Sequence, residues 1–221
     1  MTISGRNLAL GMILFVILSA VMILLAPDLW DRGKADDVAD VDLALVAESA
    51  RRANSSYHAP EQIRDEFGDA VEIGEFPESG ARVVVDPSGD VQWVTVRGTA
   101  NIANAYADLK FAEKFDHELR LNVHAGFDRA ARECLPWLLE RIDPERPVRL
   151  VGHSLGGAMA ALLHAILESR GFLVLPAVTF GQPKITDAEG AAALAHLELL
   201  RIIHDDDPVP LVPPLVVGVN K

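Results

Sequence analysis

The chain has 221 residues, with 32 acidic against 20 basic side chains, seven histidines and a single cysteine, Cys134. An acidic surface excludes nucleic acid and anionic membrane faces as partners, since both select for positive charge. One cysteine forms no intrachain disulfide, and without a cysteine cluster there is no zinc module, so disulfide scaffolds and metal-stapled folds are excluded as well.

The apolar residues are concentrated at the start. Seventeen of the nineteen positions from Leu8 to Ala26 are apolar, the exceptions being Gly11 and Ser19. A helix of nineteen residues spans ~28 Å, close to the hydrocarbon thickness of a bilayer. Three readings are open. A cleaved signal peptide usually has a shorter run and small residues at the cut, whereas bulky Leu24 stands third before a cut after Ala26. A buried core helix is rarely apolar on every face over such a length. The expectation is therefore an uncleaved single-pass transmembrane anchor within residues 1–30, spanning Leu8–Ala26. Arg6 before the span nearly balances Arg32 and Lys34 after it, so the positive-inside count is close to a tie. The domain after the span is expected on the extracytoplasmic side, because uncleaved anchors commonly export the chain on their C-terminal side.

Residues 31–79 read as a linker and N-terminal helices. Val41, Leu43, Leu45, Val46 and Ala50 fit an amphipathic helix over about 38–53, and Pro60 opens a second short helix that reaches Phe67. From residue 80 the period changes. Ala81–Asp86 and Val91–Val96 are β-branched runs separated by Pro87-Ser88-Gly89-Asp90, which is a hairpin with turn chemistry at its tip. Helical and strand patterns then alternate. Residues 126–142 form a helix with Cys134 on its buried face, Val148–Val151 a short strand, and Leu155–Ser169 an alanine- and leucine-rich helix. Phe172–Phe180 is a strand, Ala188–His196 a helix, and Leu199–Ile203 a strand. Such alternation predicts an α/β architecture with a mostly parallel sheet and flanking helices.

Gly152-His153-Ser154-Leu155-Gly156 lies between a predicted strand and a predicted helix. Gly-x-Ser-x-Gly arises by chance with odds on the order of 0.07 in a chain this long, so the strand-before, helix-after context carries the identification. A serine at such a turn sits in a strained conformation that exposes its hydroxyl, and the glycines remove Cβ atoms that would clash. Ser154 is the candidate nucleophile, and the Leu155 N–H points with the helix N-terminus at a developing oxyanion. A phosphate-binding turn is the competing reading, but no lysine stands where a P-loop requires one. His153 is expected to point away from the serine and to pack or hydrogen-bond.

Several separated segments together resemble the class 3 lipases, the fungal-lipase-like branch of the α/β-hydrolases. They are Val96–Thr99, Val123–Phe127, Gly152–Gly157, Phe180–Lys184, and Asp207–Pro210 with Pro213-Pro214, in family order across about residues 80–215. The resemblance implies an α/β-hydrolase-like domain over 80–221 that lacks its C-terminal part. It gives Thr99 the role of second oxyanion donor beside Leu155, and two such preset donors lower a barrier by ~3–4 kcal/mol each. Residues 100–111 occupy the place of the family's lid, His124 a structural position, and Gln182 a turn behind the site. Aligned on Pro208-Val209-Pro210, the resemblance selects Asp207 as the triad acid. Asp205 and Asp206 then read as exposed or turn-capping, and a calcium site in the aspartate run is the alternative.

The triad needs a histidine after the acid, and none follows Asp207. His164 and His196 read as helix-surface residues, His58 and His117 lie in segments the family does not use for catalysis, and His204 is too close to Asp207 in a strand to bridge to Ser154. The expectation is a truncated serine ester hydrolase cleaving acyl esters through an acyl-enzyme, with a lipid or other acyl ester as substrate and no metal or cofactor. A peptidase or thioesterase can reuse the same elbow. The alternative from another class is a catalytically silent hydrolase-fold module that binds lipid or protein at the membrane.

Overall fold

The computed structural model describes residues 41–98, 113–204, 207 and 209–211. The helices and strands of these residues belong to one compact unit, Asp42–Ala100 with Lys110–Pro213. The apolar span Leu8–Ala26 lies outside the described residues. Among the described residues no helix is long and apolar enough to cross a membrane.

The first helix among the described residues, α1 (Leu43–Ser55), starts later than the apolar pattern suggests. Asp42 is its N-cap, accepting from the backbone N–H groups of Ala44 and Leu45 at 3.0 and 3.1 Å, which satisfies donors that a helix start leaves orphaned. Helix α2 (Pro60–Phe67) begins on its proline as expected. Three strands come next: β1 (Glu72–Phe76), β2 (Ala81–Asp86) and β3 (Gln92–Arg97). The second and third form the expected antiparallel hairpin, and β1 adds an antiparallel strand on the far side of β2.

After β3 come the small hairpin β4 (Glu113–Asp116) and β5 (Leu121–His124), helix α3 (Ala125–Leu139), β6 (Val148–His153), α4 (Leu155–Ser169), β7 (Val174–Phe180), α5 (Ala188–Ala193) and β8 (Leu199–Ile202). The six-stranded sheet has the order β1-β2-β3-β6-β7-β8. Its β3–β6, β6–β7 and β7–β8 pairs are parallel, so the C-terminal ends of β3, β6, β7 and β8 share one edge. That edge is where open α/β sheets place their ligands.

Helix α4 is the centre of the packing. Every residue from Gly156 to Leu167 is buried, and α4 lies against β3, β6 and β7 with α3 beside it. This burial corrects the reading of His164 as a surface residue. It is only 2% exposed, because α4 carries no polar face until its last turn. Burial, helped by the nearby His196, drives the His164 pKa down to about 4. Cys134 is fully buried on α3, and burial pushes its thiol up to about 12, as expected of a small packed residue.

The β4–β5 hairpin is held by charge more than by apolar alternation. Arg132 of α3 pairs with Asp116 at 2.6 Å and with Glu118, while Arg170 reaches Glu118 at 2.7 Å and Lys114 pairs with the fully buried Asp128. Arg52 of α1 pairs with Asp86 at 2.8 Å and stacks over both Phe67 and Trp93, tying α1 and α2 to the sheet.

Candidate functional site

Ser154 stands between the end of β6 and the start of α4, with φ 56° and ψ −126°. A non-glycine residue with positive φ is uncommon and is held only where its surroundings over-determine it. Here they do. The Ser154 N–H donates to Phe180 O at 2.9 Å, and Ser154 O accepts from Gly157 N at 2.9 Å and Ala158 N at 3.2 Å. The turn is thus locked to β7 on one side and into the first turn of α4 on the other. Ser154 is 6% exposed.

The flanking glycines are required by contact. A Cβ on Gly152 would meet the Gly156 carbonyl and lie 2.7 Å from Gly157 N. One on Gly156 would press on Val96 O and lie 2.7 Å from Gly98 N and 2.8 Å from Arg97 C. The helix start therefore sits directly against the end of β3. Gly98 completes this approach, since a Cβ there would be 2.9 Å from Gly156 N. As a first-turn residue of a fifteen-residue helix, Leu155 has an N–H outside the helical ladder, at the positive end of the macrodipole. Thr99, the residue after Gly98, lies outside the described residues, as do Asp205, Asp206 and the segment 99–112 that includes Asn101, Asn104 and Asp108.

Asp207 is half-buried beyond the end of β8. Its Oδ1 accepts from Val209 N at 2.9 Å, and its own N–H donates to His204 O at 2.9 Å. Its Oδ2 lies against Gly181, where an added Cβ would be 2.8 Å away, and Gly181 has φ 53°. Gly181 directly follows Phe180, the residue whose carbonyl holds Ser154. The fold therefore carries Ser154, after β6, and Asp207, beyond β8, to the same edge of the sheet, with the end of β7 between them.

Gln182 is buried behind the start of α4, where its Oε1 accepts from Thr179 Oγ1 at 2.7 Å. His124 caps α3: its Nδ1 accepts from Phe127 N at 3.4 Å while its ring stacks on Phe127. Burial holds its pKa below the usual histidine range, which keeps the accepting nitrogen unprotonated. Among the described residues no group of His, Cys, Asp and Glu is arranged to hold a metal ion.

The residue that sequence reading missed is Tyr57. Its hydroxyl lies 2.9 Å from His153 Nδ1, and the two rings meet edge to face at 5.8 Å. Burial raises the Tyr57 pKa, against the Arg97 charge and the Gly98 backbone. Burial lowers that of His153, against the charge of Asp207. No local pattern announces this pair, which is separated by 96 positions.

Comparison with known proteins bears on the family and the fold. The family model Lipase (class 3) matches residues 93–217, more than half of the chain. A secreted mono- and diacylglycerol lipase 1 of Fusarium solani is 31% identical over 155 residues, covering 63% of this chain and 44% of that protein. Lipase A of Sodiomyces alcalophilus is 40% identical over 122 residues, covering 45% of this chain and 29% of that protein. The chain thus spans less than half the length of these curated relatives. The triacylglyceride lipase of Rhizomucor miehei superposes with a TM-score of 0.67 at 23% identity, over 80% of this chain and 78% of that one, which is a likeness of fold.

Proposed function

We propose, because the chain belongs to the class 3 lipase family, that it is the core of a serine ester hydrolase with Ser154 as nucleophile. The observation that carries this reading is the backbone of Ser154, strained at φ 56° and pinned between β6, β7 and α4. Strain of this kind has a chemical use: it lifts the hydroxyl out of the sheet edge and sets it next to the donor end of a helix.

Ser154 Oγ attacks the acyl carbonyl, and the resulting oxyanion is held by the Leu155 N–H. Thr99 is the second donor, one residue beyond the point where Gly98 meets α4. The alcohol leaves, an acyl-enzyme remains on Ser154, and water releases the acid. Asp207 orients the histidine that moves the proton and stabilises its charged form. No histidine follows Asp207 in the sequence, so the base that takes the Ser154 proton and returns it to the leaving alcohol is given no residue number, and Asp207 keeps only the orienting role. No metal or cofactor enters the scheme.

Lipid acyl esters are the proposed substrate class, on the strength of the family and of the mono- and diacylglycerol lipase among the relatives. The arrangement proposed for the whole chain is an anchor in residues 1–30, a linker and helices over 31–79, and the hydrolase domain over 80–221. The apolar run Leu8–Ala26 supports the anchor, and the secreted relative supports an extracytoplasmic domain.

A fluorophosphonate carrying an alkyl chain tests this reading. Labelling of the chain that is abolished by Ser154→Ala supports the hydrolase. An unlabelled wild-type chain supports the silent binding module instead.

A further inference from the structure

Tyr57 reaches the site from a segment that lies before the family-model match, which begins at residue 93. We propose that Tyr57 is a positioning residue of the Ser154 site: its hydroxyl donates to His153 Nδ1 and so holds the residue before the nucleophile in one ring orientation and one tautomer. The inference rests on the hydrolase reading and deepens it by making the N-terminal helical segment part of the site.

The first support is how firmly Tyr57 is held. The buried Arg82 of β2 donates to the carbonyls on both sides of it, to Ser56 O at 3.0 Å and His58 O at 2.5 Å. Glu75 of β1 fixes the same guanidinium through Nε at 2.5 Å. The Tyr57 N–H donates to Asn54 O at 3.1 Å, and Ser56 Oγ donates to Ala53 O at 2.6 Å. A tyrosine on an ordinary surface turn has no such cradle. Arg82 also lies opposite Arg97 in the sheet, and Arg97 lies opposite His153. One cross-strand row therefore sets both ends of the Tyr57–His153 contact.

The second support is the direction of the proton. Burial keeps the tyrosine protonated and the imidazole neutral near pH 7. A neutral imidazole has one accepting nitrogen and one N–H. The Arg97 charge and the Gly98 backbone act on the Tyr57 oxygen, which leaves its O–H to donate. Nδ1 then accepts, and the ring proton sits on Nε2. The groups that act on the ring are Tyr57 after α1 and Asp207 beyond β8, while Arg97 on β3 is the register neighbour of His153 and acts on the Tyr57 oxygen.

The consequence is local. His153 immediately precedes Ser154 and pairs with Arg97 and Phe180 on the two neighbouring strands. Phe180 is the residue that holds the Ser154 N–H, and Gly98 follows Arg97 against α4. A fixed ring at His153 thus steadies both strand ends that flank the elbow.

Tyr57→Phe in the full chain tests this, because it keeps the ring contact and removes only the hydroxyl. Two readouts are needed: nitrogen NMR of the His153 ring across pH, and the rate of fluorophosphonate labelling at Ser154. The wild-type ring is expected as the Nε2–H tautomer. The variant is expected to show a tautomer mixture and a raised titration midpoint, with labelling slowed roughly tenfold, the scale of one lost hydrogen bond. An unchanged tautomer and midpoint overturns the proposal. A changed tautomer with an unchanged labelling rate also overturns it, leaving Tyr57 a packing residue. A wild-type chain that does not label overturns the hydrolase reading and this proposal with it.

Discussion

Gly156→Ala is the sharpest perturbation of the elbow that leaves every reactive group in place. The new methyl would press on Val96 O and lie 2.7 Å from Gly98 N and 2.8 Å from Arg97 C. All three are backbone atoms of the β3 end, so no side chain can swing away. Ordinary carbon contacts sit at about 3.5–4.0 Å, which means that α4 and the end of β3 must part by about 1 Å. Overpacking of this kind costs about 1–3 kcal/mol, and a contact made wholly by backbone belongs at the upper end. A domain with about 5–15 kcal/mol of stability survives that loss. Catalytic geometry does not, because a 1 Å misplacement costs on the order of 100-fold. Urea unfolding should therefore show a folded but weakened protein, while the rate of Ser154 labelling falls far more steeply. Gly157→Ala is the control, since its methyl meets the Gln182 side chain at 3.2 Å, where small adjustments are available. Equal stability and equal labelling rates in the two variants would refute the claim that Gly156 sets the helix against the oxyanion strand.

Three other perturbations probe the acid, the buried histidine and the N-terminal helices. Gly181→Ala adds a methyl 2.8 Å from Asp207 Oδ2 at a residue with φ 53°, so it should cost about 1–2 kcal/mol in urea unfolding and slow labelling by displacing the acid; wild-type values in both would contradict the placement of Asp207. His164 has a folded pKa of about 4 against an unfolded value near 6.5. As pH falls the unfolded chain takes up the proton first, so this contribution is complete above about pH 6.5 and is lost progressively towards pH 4, by up to about 3 kcal/mol. His164→Leu should remove that part of the acid destabilisation, read as urea midpoints at pH 7 and pH 4.5; parallel curves for variant and wild type would argue against it. Arg52→Ala removes the partner of the buried Asp86 and a cation held between Phe67 and Trp93, and should cost about 3 kcal/mol; a loss below about 0.5 kcal/mol would show that α1 is held by other contacts.

The parts of the fold that the sequence made legible are those where one local signal dominates. Helix α4 reads to the residue because Ser154-Leu155-Gly156-Gly157 marks its start and an unbroken alanine-leucine run comes after it. The β2–β3 hairpin reads from β-branched runs around Pro87-Ser88-Gly89-Asp90. By contrast, β1 is a five-residue strand with two glutamates, and β4 is Glu-Lys-Phe-Asp, exposed in three of four positions. Their pairing depends on β2 and on the Arg132 ion pairs, which no period in the sequence reveals. His164 shows the same limit in reverse. A polar residue in mid-helix suggests solvent, but α4 is enclosed by the sheet and by α3. Within the candidate site, Ser154, its flanking glycines and Asp207 stand out in the sequence because each sits in a short motif. Tyr57 is not, because its importance comes from Arg82 and from a partner 96 positions away.

The Ser154 elbow is proposed as a reactive nucleophile with an oxyanion site at the start of α4. The most direct measurement is a structure of the chain after reaction with an alkyl fluorophosphonate. Phosphorus is expected bonded to Ser154 Oγ, with its free oxygen about 2.7–3.1 Å from the Leu155 N–H, the distance required of an oxyanion donor. A phosphonyl group bonded to any other residue, or one on Ser154 with its oxygen turned away from Leu155, would contradict it.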